Sequence, residues 1–213
     1  MNFLLLGPLN QKTNKSKRIE PIIQFLKKKR HKVFNTNDKI TFNYIKKNKI
    51  GFIICSGYPY KINSKIVYLF KNKIINLHPA LLPHGKGVGS LLFCIINQHQ
   101  LGISIHYIDK DFDTGDIILE EYVPPKMNET FRNYYTRLLD KLNNLLFKNF
   151  TLIINDQITT KTQKRTIENE FYTRLRSEVV IEFFDLTYDI PVKKLKNFSL
   201  GYSMNESFLE EFC

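Results

Sequence analysis

An amide, an imidazole and a carboxylate stand close together in the middle of this chain: Asn76, His78, and the Asp113 of Asp113-Thr114-Gly115-Asp116. Such a set suits acyl transfer. An amide N–H donates to a developing oxyanion, an imidazole donates or shuttles a proton, and a carboxylate orients the imidazole or accepts a proton. Asn76 lies two residues before His78, which puts both on one face of a strand. A lone histidine beside Pro79 is more often structural. The amide on its own face and the glycine-rich loop that follows tilt His78 towards chemistry.

The elements around these residues alternate. Residues 2–6 read as a buried strand ending at Gly7-Pro8, and 10–17 as a polar loop. Residues 18–30 carry a helical stripe of Ile19, Ile22, Ile23, Phe25 and Leu26. Strands are predicted over 31–35, 51–55, 73–77, 101–107 and 117–123, and helices over 41–47, 64–70 (capped by Ser64), 90–97 and from Thr130 to about 155. The apolar run at 51–55 suits a central parallel strand covered on both faces. The pattern predicts an α/β fold, a Rossmann-like mostly parallel sheet flanked by helices, with ligands beyond the carboxyl ends of the strands. Residues 1–155 form the expected catalytic domain. Residues 156–213 are a small C-terminal extension, with a polar strand-like piece at 158–164, an interrupted apolar piece at 177–184 and an amphipathic stretch at 192–198.

A chain of 213 residues, 43% hydrophobic, can bury a full core. Its apolar runs are too short to cross a bilayer, and the N-terminus has no signal-peptide pattern, so a cytoplasmic protein without membrane contact is expected. Three cysteines without metal spacing predict no disulfide framework, and Cys55 and Cys94 read as core packing. The net charge of +12 is lopsided: residues 1–75 hold 17 Lys/Arg against 2 Asp/Glu. Such a face can attract polyanions. The chain is rich throughout in Lys, Asn, Ile, Phe and Tyr, and no nucleic-acid module is present, so a compositional origin is preferred and no nucleic-acid partner is assigned.

Two motifs invite other readings. Asp109, Asp111 and Asp113 alternate and Glu120 fills the last place of a calcium loop, but Thr114 stands where that loop needs glycine. Calcium is rejected. The loop from Gly85 to Ser90 lacks the ending of a phosphate-binding Walker motif, yet its glycines and Lys86 can hold an anion through backbone N–H groups. His106 is assigned to its strand, with no chemical role.

Taken together these residues resemble the formyltransferase superfamily that uses 10-formyltetrahydrofolate. Ile74-Ile75-Asn76-Leu77-His78-Pro79-Ala80-Leu81-Leu82-Pro83 is similar to its Asn-x-His-Pro segment, and Gly102-Ile103-Ser104-Ile105-His106-Tyr107-Ile108-Asp109 with Phe112-Asp113-Thr114-Gly115-Asp116-Ile117 to its Asp-Thr-Gly-Asp segment. The resemblance implies that Asn76, His78 and Asp113 are catalytic, without a metal. It implies that the folate cosubstrate packs on Ser56, Gly57, Tyr58, Tyr60 and Ile62 and against Asp109, Phe112 and Thr114. His84, Lys86 and Gly87 would meet the acceptor. Leu82-Pro83-His84-Gly85-Lys86-Gly87, the His106-Tyr107 pair and Thr130-Phe131-Arg132-Asn133-Tyr134 look most like N-formyltransferases of nucleotide-linked 4-amino sugars, such as dTDP-4-amino-4,6-dideoxyglucose. Those enzymes feed surface polysaccharide (O-antigen) synthesis, and many are homodimers. Gly7-Pro8-Leu9-Asn10-Gln11-Lys12 departs from the Gly- and Ser-rich turn of the phosphoribosylglycinamide enzymes, and the acidic tail from the basic C-terminal domain of the methionyl-tRNA enzymes. A folate- or nucleotide-binding protein without activity is the non-enzymatic alternative.

Overall fold

The computed structural model describes residues 1–9, 16–87, 89–163 and 189–198. The expected segment at 177–184, most of the polar loop at 10–17, and Cys213 lie outside the described residues. In chain order the elements are β1 (Asn2–Leu6), α1 (Ser16–Lys28), β2 (Lys32–Thr36), α2 (Phe42–Lys47), β3 (Ile50–Cys55), α3 (Ser64–Leu69), β4 (Ile74–His78), α4 (Ser90–Ile96), β5 (Gly102–Tyr107), β6 (Ile117–Tyr122), α5 (Phe131–Ile154) and α6 (Val192–Phe198). One six-stranded sheet runs in the order β2-β1-β3-β4-β5-β6. The first four strands are parallel, and β5 runs antiparallel to both of its neighbours, β4 and β6. The expected mostly parallel α/β sheet is what the chain forms.

Strand alternation divides the core in two. In β1, Phe3 and Leu5 face a cluster that also takes Ile19, Ile22 and Leu26 of α1 and Leu138, Leu142 and Phe150 of α5. Leu4 and Leu6 point the other way, to Ile45 of α2 and Ile66 of α3. The same alternation in β3 sends Phe52 and Ile54 to the first cluster and Ile53 and Cys55 to the second. A central strand must therefore be apolar on both faces, which is why β3 reads as an unbroken apolar run.

Helix starts follow side-chain capping. Thr41 accepts from the Tyr44 N–H and Thr130 from the Asn133 N–H, as their sequence positions suggest. The cap of α3 is Asn63, which accepts from the Lys65 N–H, whereas Ser64 is the first helical residue. Lys27 and Lys28 close α1 on the exposed side. Of the C-terminal extension, Val192 and Leu195 of α6 enter the first core cluster, and Pro191 bridges to Thr130 at the start of α5. Among the described residues no helix is long and apolar enough to cross a membrane.

Candidate active site

The site arises where alternation turns polar. On β4, Ile75 and Leu77 enter the first core cluster and Ile74 the second, so Asn76 and His78 continue the second face beyond Ile74. On β5, Ile103, Ile105 and Tyr107 take the first face, leaving Ser104 and His106 on the second. The antiparallel register sets Asn76 opposite His106 and His78 opposite Ser104. Four polar residues thus share one patch of β4 and β5, whose other face is apolar. Ser104 donates to the Ala80 carbonyl at 2.9 Å and accepts from the Leu82 N–H at 3.0 Å, drawing the loop after β4 back over the patch.

Asp113 reaches into this patch from the turn between β5 and β6. Its backbone is left-handed, at φ 53°, a conformation that aspartate tolerates better than most residues. Asn76 Nδ2 donates to Asp113 Oδ1 at 3.0 Å, and the Gly87 N–H donates to Oδ2 at 2.8 Å. His78 Nδ1 lies 3.7 Å from Oδ2 and His106 Nε2 lies 3.3 Å from Oδ1. Both rings are anchored by carbonyls. His78 Nε2 donates to Gly85 O at 2.7 Å and His106 Nδ1 to Tyr107 O at 2.8 Å, which fixes both tautomers. When neutral, each imidazole therefore turns a bare nitrogen toward Asp113. Asn76 Nδ2, 3.1 Å from His106 Nε2, then donates its other proton to that nitrogen.

The electrostatics follow from burial and contacts. Burial alone would raise the Asp113 carboxyl, but the positive charge that His78 and His106 carry when protonated, together with the Gly87 N–H, outweighs it and holds the group well below the usual carboxylate range. Burial lowers His78, against the upward pull of Asp113. The resting pair is thus an ionised carboxylate and a neutral imidazole. It accepts a proton at His78 Nδ1, where Asp113 stabilises the imidazolium that forms.

The expected residues divide into three groups. Asn76, His78 and Asp113 come together. His106, given no role on sequence grounds, stands within the same cluster; its place on the polar face of β5, two residues after Ser104, was the available signal. In the loop 85–87 the Gly87 N–H donates to the carboxylate of Asp113, and His84 stacks on His99 with centroids 4.3 Å apart. Lys86 is buried.

Around the expected folate positions, Gly57 and Tyr60 are exposed and Tyr58 half-buried, its hydroxyl donating to Asp38 O. Ser56 is buried, and Ile62 packs into the second core cluster. Lys61 pairs with Asp111 at 3.4 Å, linking the 56–62 loop to the loop that carries Phe112, itself 54% exposed. Asp109 accepts from the Thr114 hydroxyl and the Asp111 N–H, so both Asp109 and Thr114 brace this loop. Cys55 and Cys94 are buried thiols, both raised by burial, Cys94 to about 12.

His78, His106 and Asp113 offer ligand atoms within 4.8 Å of one another, enough for a small cation. Asn76 and Gly87 each donate to one oxygen of the carboxylate, and Asn76 Nδ2 also stands against His106 Nε2, so a cation would compete with those donors. The donor set fits proton transfer better than metal binding.

The fold and this cluster define a formyl transferase: the model of that family matches residues 9–150, and the chain belongs to it. Relatives divide over the acceptor. The chain is 28% identical over 151 residues to the methionyl-tRNA formyltransferase of Fusobacterium nucleatum, and 34% identical over 101 residues to the GDP-perosamine N-formyltransferase of Brucella melitensis. These alignments take 69% and 45% of this chain but only 49% and 39% of the two relatives, so the chain spans half or less of their length. Among solved structures it is similar to the formyltransferase PseJ from Anoxybacillus kamchatkensis, at a TM-score of 0.81 and 30% identity, covering 93% of this chain and 100% of that one. That structure holds UDP-4,6-dideoxy-4-formamido-L-AltNAc and tetrahydrofolate. WlaRD, a sugar 3N-formyl transferase, shares the fold at a TM-score of 0.64 and 20% identity.

Proposed function

We propose that this chain transfers the formyl group of 10-formyltetrahydrofolate to the amine of a nucleotide-linked amino sugar, with Asn76, His78 and Asp113 as its catalytic residues. The convergence of one amide and two imidazoles on the Asp113 carboxylate carries the reading. The neutral amine attacks the formyl carbon, forming a C–N bond and an oxyanion. The Asn76 amide gives up its bond to His106 Nε2 and turns that proton to the oxyanion, keeping its other proton on Asp113. His78 Nδ1 takes the proton that the amine sheds, becomes an imidazolium beside Asp113, and supplies a second donor. Collapse breaks the bond to N10 of the folate, which receives the proton as tetrahydrofolate leaves. Every atom and proton is accounted for without a metal.

The cosubstrate and the acceptor class are supported by likeness to PseJ, which aligns along nearly the whole of both chains. A 4-amino sugar carried on UDP or dTDP is the preferred acceptor, and surface polysaccharide synthesis its destination. The cosubstrate is assigned to the loops 56–62 and 109–114, in which Gly57, Tyr60 and Phe112 are exposed. Residues 1–155 carry the catalytic residues, and two copies would pair in the cytoplasm.

The test incubates the protein and 10-formyltetrahydrofolate with UDP- and dTDP-linked 4-amino-4,6-dideoxy sugars, GDP-perosamine, glycinamide ribonucleotide and methionyl-tRNA, and follows tetrahydrofolate. Release is expected with an amino-sugar nucleotide. Turnover confined to the last two acceptors would reject the sugar reading. His78→Ala and Asp113→Asn should each lower kcat by about 10²–10⁴ with the fold retained, and Asn76→Ala by about 10²–10³. Near-normal rates in any of the three would remove that residue from the mechanism.

A further inference from the structure

Gln163 lies beyond the 9–150 span of the family match, yet its side chain touches the turn that carries Asp113. After α5 the chain returns to the sheet edge, where Ile117 and Lys161 exchange both backbone hydrogen bonds, at 2.9 and 2.8 Å. Two residues later Gln163 is buried, 8% exposed. Its Nε2 donates to Asp113 O at 3.0 Å and to Gly115 O at 2.6 Å. Its Oε1 is also buried and has no hydrogen-bond partner among the described residues. Reversing the amide would set that oxygen against two carbonyls, so the donors must face the turn.

A buried acceptor without a partner is destabilising, and a side chain present only to fill space would not need it. Here both protons of one amide close on the carbonyls that flank Thr114. The turn they grip has little freedom elsewhere: Asp113 is left-handed, and a Cβ at Gly115 would meet Tyr107 O at 2.0 Å. We infer that Gln163 is a positioning residue of the active site. It clamps the 113–115 turn so that the Asp113 carboxylate stays between Asn76 and Gly87 and within reach of His78. The catalytic consequence rests on the formyl-transfer reading above; the geometric one does not.

Two variants of the full chain test it. Gln163→Met keeps the volume and removes both donors, and Gln163→Asn keeps the amide but falls one methylene short, so a fold that rejects one can accept the other. Histidine NMR titration reads the clamp with no substrate present. Asp113 favours the imidazolium of His78, so retreat of the carboxylate moves the His78 titration to lower pH. In steady state kcat should fall about tenfold or more, while KM for 10-formyltetrahydrofolate stays within about threefold. Folded variants with the wild-type His78 titration would overturn the inference, whatever happens to kcat. Should the wild type formylate no amine, the proposed function fails, and the titration still decides the clamp.

Discussion

Each imidazole of the cluster has one nitrogen committed to a backbone carbonyl, and this decides what the other can do. His78 is buried, its proton is held on Nε2 by Gly85 O, and its folded-state affinity for a second proton is depressed. A base depressed on folding resists protonation that the unfolded chain accepts. Its stabilising share is whole above the unfolded value of about 6.5 and is lost progressively as pH falls from there through the lowered folded-state value. Unfolding free energy should therefore drop between about pH 7 and 5, with a smaller slope in His78→Gln. Urea titrations of both proteins across that range check it, and equal slopes would show that His78 is not the group responsible. His31, also lowered, contributes equally to both proteins and cancels. Asp113 behaves oppositely at lower pH: its depressed carboxyl stabilises the fold above about pH 4, and that share is lost only under stronger acid. Asn76, His78 and Asp113 were legible in the sequence because their types and order are unusual. His106 was not, since its place two residues after Ser104 marks a polar face of β5 but not what lies across the ladder.

At the scale of elements, strand alternation explains both the core and the site. β4 and β5 are apolar on the face covered by α1, α4 and α5, and polar on the other face near their adjoining ends. Predicted strands and helices agree with the observed ones to within about two residues, because each apolar run has a single buried period. Shifts occur at the ends, where a local contact wins: Asn63 outcompetes Ser64 as the cap of α3 because its carboxamide reaches the Lys65 N–H. The helix α5 is fixed to the sheet by Tyr134, fully buried, whose hydroxyl donates to Val123 O. Tyr134→Phe should keep the packing and lose that bond, at about 1 kcal/mol or somewhat more, because the carbonyl is left buried. Thermal and urea melts read the loss. The Lys61–Asp111 pair is about half exposed on both sides, so Lys61→Ala should change stability by well under about 1 kcal/mol.

At the scale of the molecule, the sheet carries two cores, and the chain beyond α5 contributes to one of them. Leu195 of α6 is 2% exposed within the cluster that includes α1, α4 and α5. Leu195→Ala should cost about 2–5 kcal/mol and lower the single urea midpoint of the whole fold. A separate early transition would instead make the 189–198 segment an independent unit. The sequence by itself determined the alternation of strands and helices, the apolar centre of the sheet, and three polar residues whose chemistry suits acyl transfer, because hydrophobic period and residue chemistry are local properties. The tertiary structure alone decided that the Gly87 N–H donates to Asp113, that His106 faces the same carboxylate, and that Gln163 grips the turn from 50 residues away. Those contacts join segments whose separation along the chain says nothing of their distance in space. Only the register of antiparallel β4 and β5 and the return of the chain after α5 bring them together.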